Sequence, residues 1–227
     1  DGSITTQVRA NQTAGFSIAT YSYDNSLGSQ TLGHGLGAIP DLVIRKDRNL
    51  GEDWSVYSKA MGFTQRAHLN TTAAFSGTTT FGSASATSTV NRANNMNNGN
   101  YVDYSFVSIP GYSAFGLYDG NGSSDGPFLH TGHRPAWIMV KCHDTSTSST
   151  NWIIWDTARD PINMAEIPLR ADLGDSEIDA SDNYDIDILS NGFKIRTSNG
   201  GINHGSRSYI FVSFAENPFQ ANGGLAR

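Results

Sequence analysis

Cysteine is almost absent from this 227-residue chain: Cys142 stands alone. That excludes an internal disulfide and a cysteine-rich zinc site. Charge is scarce too, with Asp, Glu, Lys and Arg at 16% and a formal net charge of −6. Nucleic-acid binding needs clustered Lys and Arg to neutralise phosphate, so a general nucleic-acid binder is not expected. No apolar run approaches the ~20 residues of a membrane-crossing helix, and membrane insertion is not expected. Helical periodicity is nearly missing: "TARDPINMAEIP" has room for one turn, limited by Pro161 and Pro168. Solubility therefore falls to Ser, Thr, Asn and Gly, a surface common among extracellular and virion β proteins. The chain starts at Asp1 without Met, which fits a piece cut from a longer protein.

What the chain does have is a period of two. In "FSIATYSY" Phe16 and Ile18 share a face; in "YVDYSFVS" Val102, Tyr104 and Phe106 oppose Tyr101, Asp103 and Ser105. "DIDILSNGFKIRTS" alternates on both sides of Asn191-Gly192 and predicts a hairpin there. Short alternating strands between Gly/Asn/Ser turns indicate a sandwich or barrel.

The pattern is also written twice. "YSYDNSLGSQTLGHGLGAIPDLVIRK" (Tyr21 to Lys46) has a counterpart in "YDGNGSSDGPFLHTGHRPAWIMVK" (Tyr118 to Lys141). "DWSVYSKAM" matches "NWIIWDTAR", aligning Trp54 with Trp152 and Tyr57 with Trp155. "HLN" near Leu69 aligns loosely with "PLR" near Leu169, and "YVDYSFVSIP" matches "YIFVSFAENP". Four matches in order predict two copies of one β unit. The expected fold is all-β: two tandem antiparallel β-sandwich units, jelly-roll or concanavalin-like, packed together. Residues 1–14 are expected as an arm or linker, 15–112 and 113–219 as the repeats, and 220–227 as a tail.

The segments "GSITTQVRANQTAGFSIATY", "GHGLGAIPDLVIRK", "DILSNGFKIRTSNGGIN" and "YIFVSFAENPF" resemble a repeated domain of tailed-bacteriophage virion proteins, especially marine and cyanobacterial phages. There it sits in tail-fibre or other appendage subunits. The resemblance covers almost the whole chain in the same two-copy order, departing at His133, where an aromatic is expected before Arg134-Pro135. It implies a β-sandwich module with no agreed catalytic residues. It also implies a virion, hence extracellular, location, with other copies of the chain (a homotrimer) or other virion proteins as partners.

Each candidate site also has a simpler account. Asp119, Asn121 and Asp125 space oxygen side chains two apart, as calcium loops do, yet His130 stands where an EF-hand needs Glu. A tight Gly-supplied turn explains the same letters, leaving calcium as an open alternative and no other cofactor. The stretch "DLGDSEIDASDNYDID" crowds Asp172, Asp175, Glu177, Asp179, Asp182, Asp185 and Asp187; a solvated loop is the default, a divalent ion near Asp182 and Asp185 or a neighbour's Arg the sharper option. Matched tryptophans suggest core, but Trp155, with Tyr23, Tyr112 and Tyr118, is a candidate contact for glycan or partner. The scattered histidines, His130 and His133 included, give weak signals for zinc or catalysis. For hydrolysis Asp53, Asp103, Asp156 and Glu216 qualify only by being acidic. The expected function is a non-enzymatic structural and adhesive module of a virion appendage that presents loops to a host surface or a neighbour. A lectin-like carbohydrate-binding module is the alternative, and a polysaccharide depolymerase a weaker one.

Overall fold

A computed structural model describes residues 2–81, 90–147, 150–178, 181 and 183–218. The period of two becomes antiparallel strands nearly everywhere in them; two short 3-10 turns, Asn25–Leu27 and Lys59–Met61, are the helical exceptions. The chain divides into two units. One runs to Leu69 and resumes over Phe75–Ser108; the other takes Asn70–Ala74 and the chain from Ile109 onward.

The first unit contains β1 (Thr6–Asn11), β2 (Phe16–Tyr23), β3 (Gln30–Gly33), β4 (Leu42–Asp47), β5 (Ser55–Ser58), β6 (Gln65–His68), β7 (Ser76–Gly77), β8 (Val90–Ala93) and β9 (Gly99–Phe106). Its large sheet has the order β1-β2-β9-β4-β5-β6-β7, and β3 pairs with β8 in a second, small sheet. Leu32 and Ala93 of the small sheet cluster with Ala19, Tyr21, Tyr23 and Tyr101 of the large one, which makes two layers.

The second unit contains β10 (Ser113–Asp119), β11 (Phe128–His130), β12 (Pro135–Cys142), β13 (Ile153–Asp156), β14 (Leu169–Arg170), β15 (Ile186–Leu189), β16 (Gly192–Ile195) and β17 (Ser208–Ala215). Its sheets run β10-β17-β12-β13-β14 and β11-β16-β15. Leu129, Ile186, Ile188, Phe193 and Ile195 of the small sheet pack on Ile138, Val140, Ile153, Trp155 and Phe211 of the large one. The β15–β16 hairpin turns at Ser190-Asn191, one residue earlier than the sequence pattern places it, with Leu189 opposite Gly192. Gly192 is required there, because a Cβ would lie 2.0 Å from the Leu129 carbonyl oxygen.

Over five strands, β2-β9-β4-β5-β6 and β10-β17-β12-β13-β14, the two large sheets agree in register as well as order. Tyr21 pairs with Tyr101, and Tyr118 with Tyr209. Arg45 faces Asp103 and Ser55, where Val140 faces Phe211 and Ile153. Val43 faces Tyr57, as Ile138 faces Trp155. At these equivalent places the interiors diverge. The first unit buries the ion pair of Arg45 and Asp103, 2% and 0% exposed; the second buries Val140 against Phe211. The third strand follows suit: Ala19 lies opposite Asp103, whereas Gly116 lies opposite Phe211. A Cβ on Gly116 would sit 2.6 Å from the Phe211 ring. Gly116→Ala is therefore expected to cost about 1–3 kcal/mol by overpacking, read as a lower urea midpoint; no change would refute the close approach.

Several expectations need correction. Residues 6–11 are no arm: Thr6–Asn11 pairs along its length with β2, because Val8 offers an apolar side chain to the Tyr21/Leu32 cluster. The unit boundary falls at Ser108/Ile109 rather than 112/113, since Ile109 turns back to bond Ser113. The 220–227 tail lies outside the described residues. In β9 the polar-looking face is the deeper one: Tyr101, Asp103 and Ser105 are buried while Val102, Tyr104 and Phe106 are half-buried. Arg45 makes this affordable by neutralising Asp103. Trp54 is 37% exposed although its match Trp152 is 0% exposed, so the shared letter does not mark shared burial.

Candidate functional site

At the β4–β5 end of the first unit a polar cleft of ≈ 340 Å³ opens, lined among others by Arg45, Asp47, Glu52, Asp53, Tyr57, Arg66, His68, Met96, Asn97 and Tyr101. Local sequence explains its walls. Asp47 ends β4 and accepts the amides of Asn49 (2.8 Å) and Leu50 (3.1 Å) through Oδ1, an Asx turn that reverses the chain. Lys46 ties the same turn by donating to the Asp47 and Leu50 carbonyls. In the facing "NNMNN" stretch, Asn95 adopts φ 46°, a conformation Asn tolerates better than most residues. The stretch is pinned by Asn97 Nδ2 donating to Glu52 Oε1 (3.1 Å) and by Tyr101 donating to the Asn97 carbonyl (2.9 Å).

The floor is rigid. Arg45 grips Asp103 bidentately, Nε to Oδ1 and a terminal nitrogen to Oδ2, both at 2.8 Å. It also donates to the Thr80 and Arg92 carbonyls and lies 5.3 to 5.8 Å from the Tyr21, Tyr57 and Phe81 ring centres. Tyr21 and Asn91 complete the Asp103 carboxylate. Burial opposes the Arg45 charge, but Asp103 together with Tyr21 and Tyr57 outweighs it and holds the guanidinium protonated.

Asp47 is different. It is 3% exposed, its Oδ2 is enclosed by protein, and its carboxylate interacts with the Tyr101 hydroxyl. Burial first, then the nearby Asp47 charge, raises the Tyr101 pKa well above its usual value. His68 places Nδ1 3.6 Å from Asp53 Oδ2. Burial and Arg66 push its imidazole down, with Asp53 and Glu52 pulling the other way. The cleft sets acceptor carboxylates beside amide and guanidinium donors, over buried aromatic rings.

The residues nominated from sequence lie elsewhere. Tyr23, Tyr118 and Trp155 are interior, not contact surfaces: Tyr23 donates to Asn25 and Gly28, Tyr118 to the Ile202 carbonyl and Trp155 to the Tyr184 carbonyl. Strand alternation turns them onto the covered face. Tyr112 is half-buried with its ring edge-on to Phe214, 5.9 Å away.

Asp119, Asn121 and Asp125 do not converge on a cation. Asp119 accepts the Ser208 hydroxyl, Asn121 bonds Ser123, Asp125 and Asn203, and Asp125 pairs with Lys194 at 2.8 Å. Lys194, through its hydrogen bond and its charge, holds the Asp125 carboxyl below its usual value.

Asp182 and Asp179 lie outside the described residues. Asp185 keeps one buried oxygen without a partner, and burial, then Glu166, raises its pKa. The rest of the acidic stretch is met by the chain's own groups: Asp172 by Asn151 and the Trp152 amide, Asp175 by Arg170, Glu177 by Arg159 and Asp187 by Arg196. Among the described residues no group of three or more His, Cys, Asp or Glu is placed to hold a metal. Of the four carboxylates considered for hydrolysis, Asp103, Asp156 and Glu216 have ion partners in Arg45, Arg159 and Arg134, and Asp53 faces the His68 imidazole.

His133, the residue out of step with the resemblance, is 1% exposed and meets the Ser213 hydroxyl at 2.9 Å through Nε2. Burial, then His130, holds its pKa below 6.5, so the folded state keeps it neutral. The unfolded chain takes up a proton first. Stability from this group is present above about pH 6.5 and is lost as pH falls toward the lower folded value. Urea melts at pH 7 and pH 5 are expected to show a smaller pH loss in His133→Phe than in the wild type; equal losses would refute the assignment.

The sequence reading passed over Asp47, Glu52, Asn97 and Tyr101 as a group. One signal could have found Asp47. In the two-copy alignment its counterpart is Cys142, opposite Tyr209 as Asp47 is opposite Tyr101, and a buried carboxylate replacing a buried thiol needs a reason. The chain matches the family described as a domain of unknown function, DUF7483, over residues 1–218, and it belongs to that family. No curated protein and no solved structure matches it.

Proposed function

We propose that the chain is a structural and adhesive module of a bacteriophage virion appendage, with the second unit as scaffold and the first as recognition surface. The observation that carries this reading is the contrast at equivalent strand positions. Val140, Cys142, Ile153 and Trp155 fill the second interior, where Arg45, Asp47, Ser55 and Tyr57 line an open cleft in the first. Duplication of one unit, followed by divergence at the cleft, accounts for the shared order and register. The virion setting is supported by the resemblance of the sequence segments, and assembly with copies of itself or neighbouring virion proteins follows from that setting. The test is labelling of intact particles with an antibody against the chain. Label at the distal end of an appendage is expected; label on the capsid shell, or none on the particle, would overturn it.

A further inference from the structure

We propose that the outer edge of β10 pairs with β10 of a second copy of the chain, antiparallel, about a two-fold axis through Leu117; this rests on the self-assembling reading above. The first unit shows what belongs at that edge. Tyr21 and Tyr118 sit at equivalent places in β2 and β10, so Thr20 corresponds to Leu117. β2 lies between β9 and β1, and Gln7 of β1 pairs antiparallel with Thr20. β10 ends its sheet, with β17 on one side and no strand on the other among the described residues. The chain entering β10 does not supply one, because Ile109 turns back onto Ser113 soon after β9 and leaves no length for it.

Bonds at the two ends of β10 fix which groups it offers. The Tyr112 carbonyl accepts from the Ala215 amide and the Gly120 amide donates to the Arg207 carbonyl, both on the β17 side. Strand alternation therefore sends the N–H and C=O of Leu117 outward. Its side chain is 45% exposed. Natural edges are blunted by shortness, charge, proline or a bulge, and the other end strands of the large and three-stranded sheets follow that rule. β7 and β14 have two residues each and β11 has three, while Arg9 stands inside β1 and Asp187 inside β15. β10 runs seven residues in unbroken register with β17 and carries its single charge, Asp119, at the end. Such an edge accepts an added strand. A two-fold axis across it sets the strand antiparallel to its own copy, the orientation β1 takes on β2. The two Leu117 side chains then cover each other, and the two Asp119 carboxylates lie on opposite sides of the axis.

The experiment is sedimentation velocity of the full chain over a concentration series, with Leu117→Lys, Leu117→Glu and an equimolar mixture of the two. The wild type is expected to pass from monomer to dimer as concentration rises. Either charged variant alone is expected to weaken dimerisation by ~10-fold or more, because two like charges meet at the axis. The mixture is expected to recover a heterodimer, since opposite charges then face each other; a contact between unlike surfaces gains nothing from mixing. Leu27→Lys, at an exposed leucine of the first unit, is expected to leave the dimer intact. Should the charged variants misfold, Leu117→Cys is expected to cross-link two copies under mild oxidation, Cys142 being buried. A wild type that stays monomeric up to millimolar concentration, association undisturbed by either charge, a mixture that stays monomeric, or no cross-link in Leu117→Cys would each overturn the proposal. Monomers in solution with label at the distal end of an appendage would remove this proposal and leave the adhesive reading standing; dimers that depend on Leu117, with label on the capsid shell, would do the reverse.

Discussion

Asp103→Ala is expected to lower the stability of the first unit by about 3–5 kcal/mol, because it strands a buried guanidinium. Arg45 would keep the Thr80 and Arg92 carbonyls but lose its bidentate partner. The Tyr21 hydroxyl would lose its acceptor, and Asn91 would retain Ser105 alone. Arg45→Ala should cost a similar amount by stranding the carboxylate. The double variant is expected to lose less than the two single losses combined, with a coupling of about 1–3 kcal/mol, since neither charge is then left alone. Urea unfolding read from Trp54, the tryptophan of the first unit, measures this separately from Trp137, Trp152 and Trp155 in the second. Additive losses would mean that the pair contributes no more than its separate solvation, and the ionic floor of the cleft would need another account.

Trp155→Ala is expected to remove about 3–5 kcal/mol from the second unit. Its ring is 1% exposed and lies in the cluster that joins both sheets of that unit. Two losses combine: a cavity too well packed to collapse, and a Tyr184 carbonyl that no longer receives the indole N–H at 3.0 Å. Trp155→Phe separates them, because it refills much of the volume and restores no donor; its cost should be nearer the ~1–3 kcal/mol of an orphaned buried polar group. A Trp155→Ala variant within 1 kcal/mol of wild type would remove this side chain from the core.

The strands were legible because period-two alternation is a local property, visible wherever turn residues bracket it. The hairpin around Asn191 is the clearest case, misplaced by one residue because Ser190-Asn191 and Asn191-Gly192 are both acceptable two-residue turns. Phase was harder. Nothing local in "YVDYSFVS" says that Asp103 goes inside, since its partner Arg45 is 58 residues away and only the β4–β9 pairing joins them. The same non-locality hid the cleft. Asp47 ends β4, Glu52 lies in the loop that follows and Asn97 in another, and only the sheet order makes them neighbours. Tyr23, Tyr118 and Trp155 misled for the opposite reason: an aromatic beside turn residues is equally compatible with display and burial until a second sheet covers it. Repetition of Trp54 and Trp152 carried less meaning than it promised, because one lies in the exposed β4–β5 connection and the other accompanies a buried strand.

Gly116 and Phe211 fit only as a pair: the phenyl ring occupies the volume that any side chain on the neighbouring strand would need. If both units descend from one ancestor with a small side chain opposite a small side chain, the changes had a preferred order, the loss of the methyl preceding the arrival of the ring. Reverting the glycine alone is then the harmful direction. The second unit is held to its greasy interior by history as much as by energy, while the first, with Ala19 and Arg45 on either side of Asp103, carries no such contact of ring against glycine.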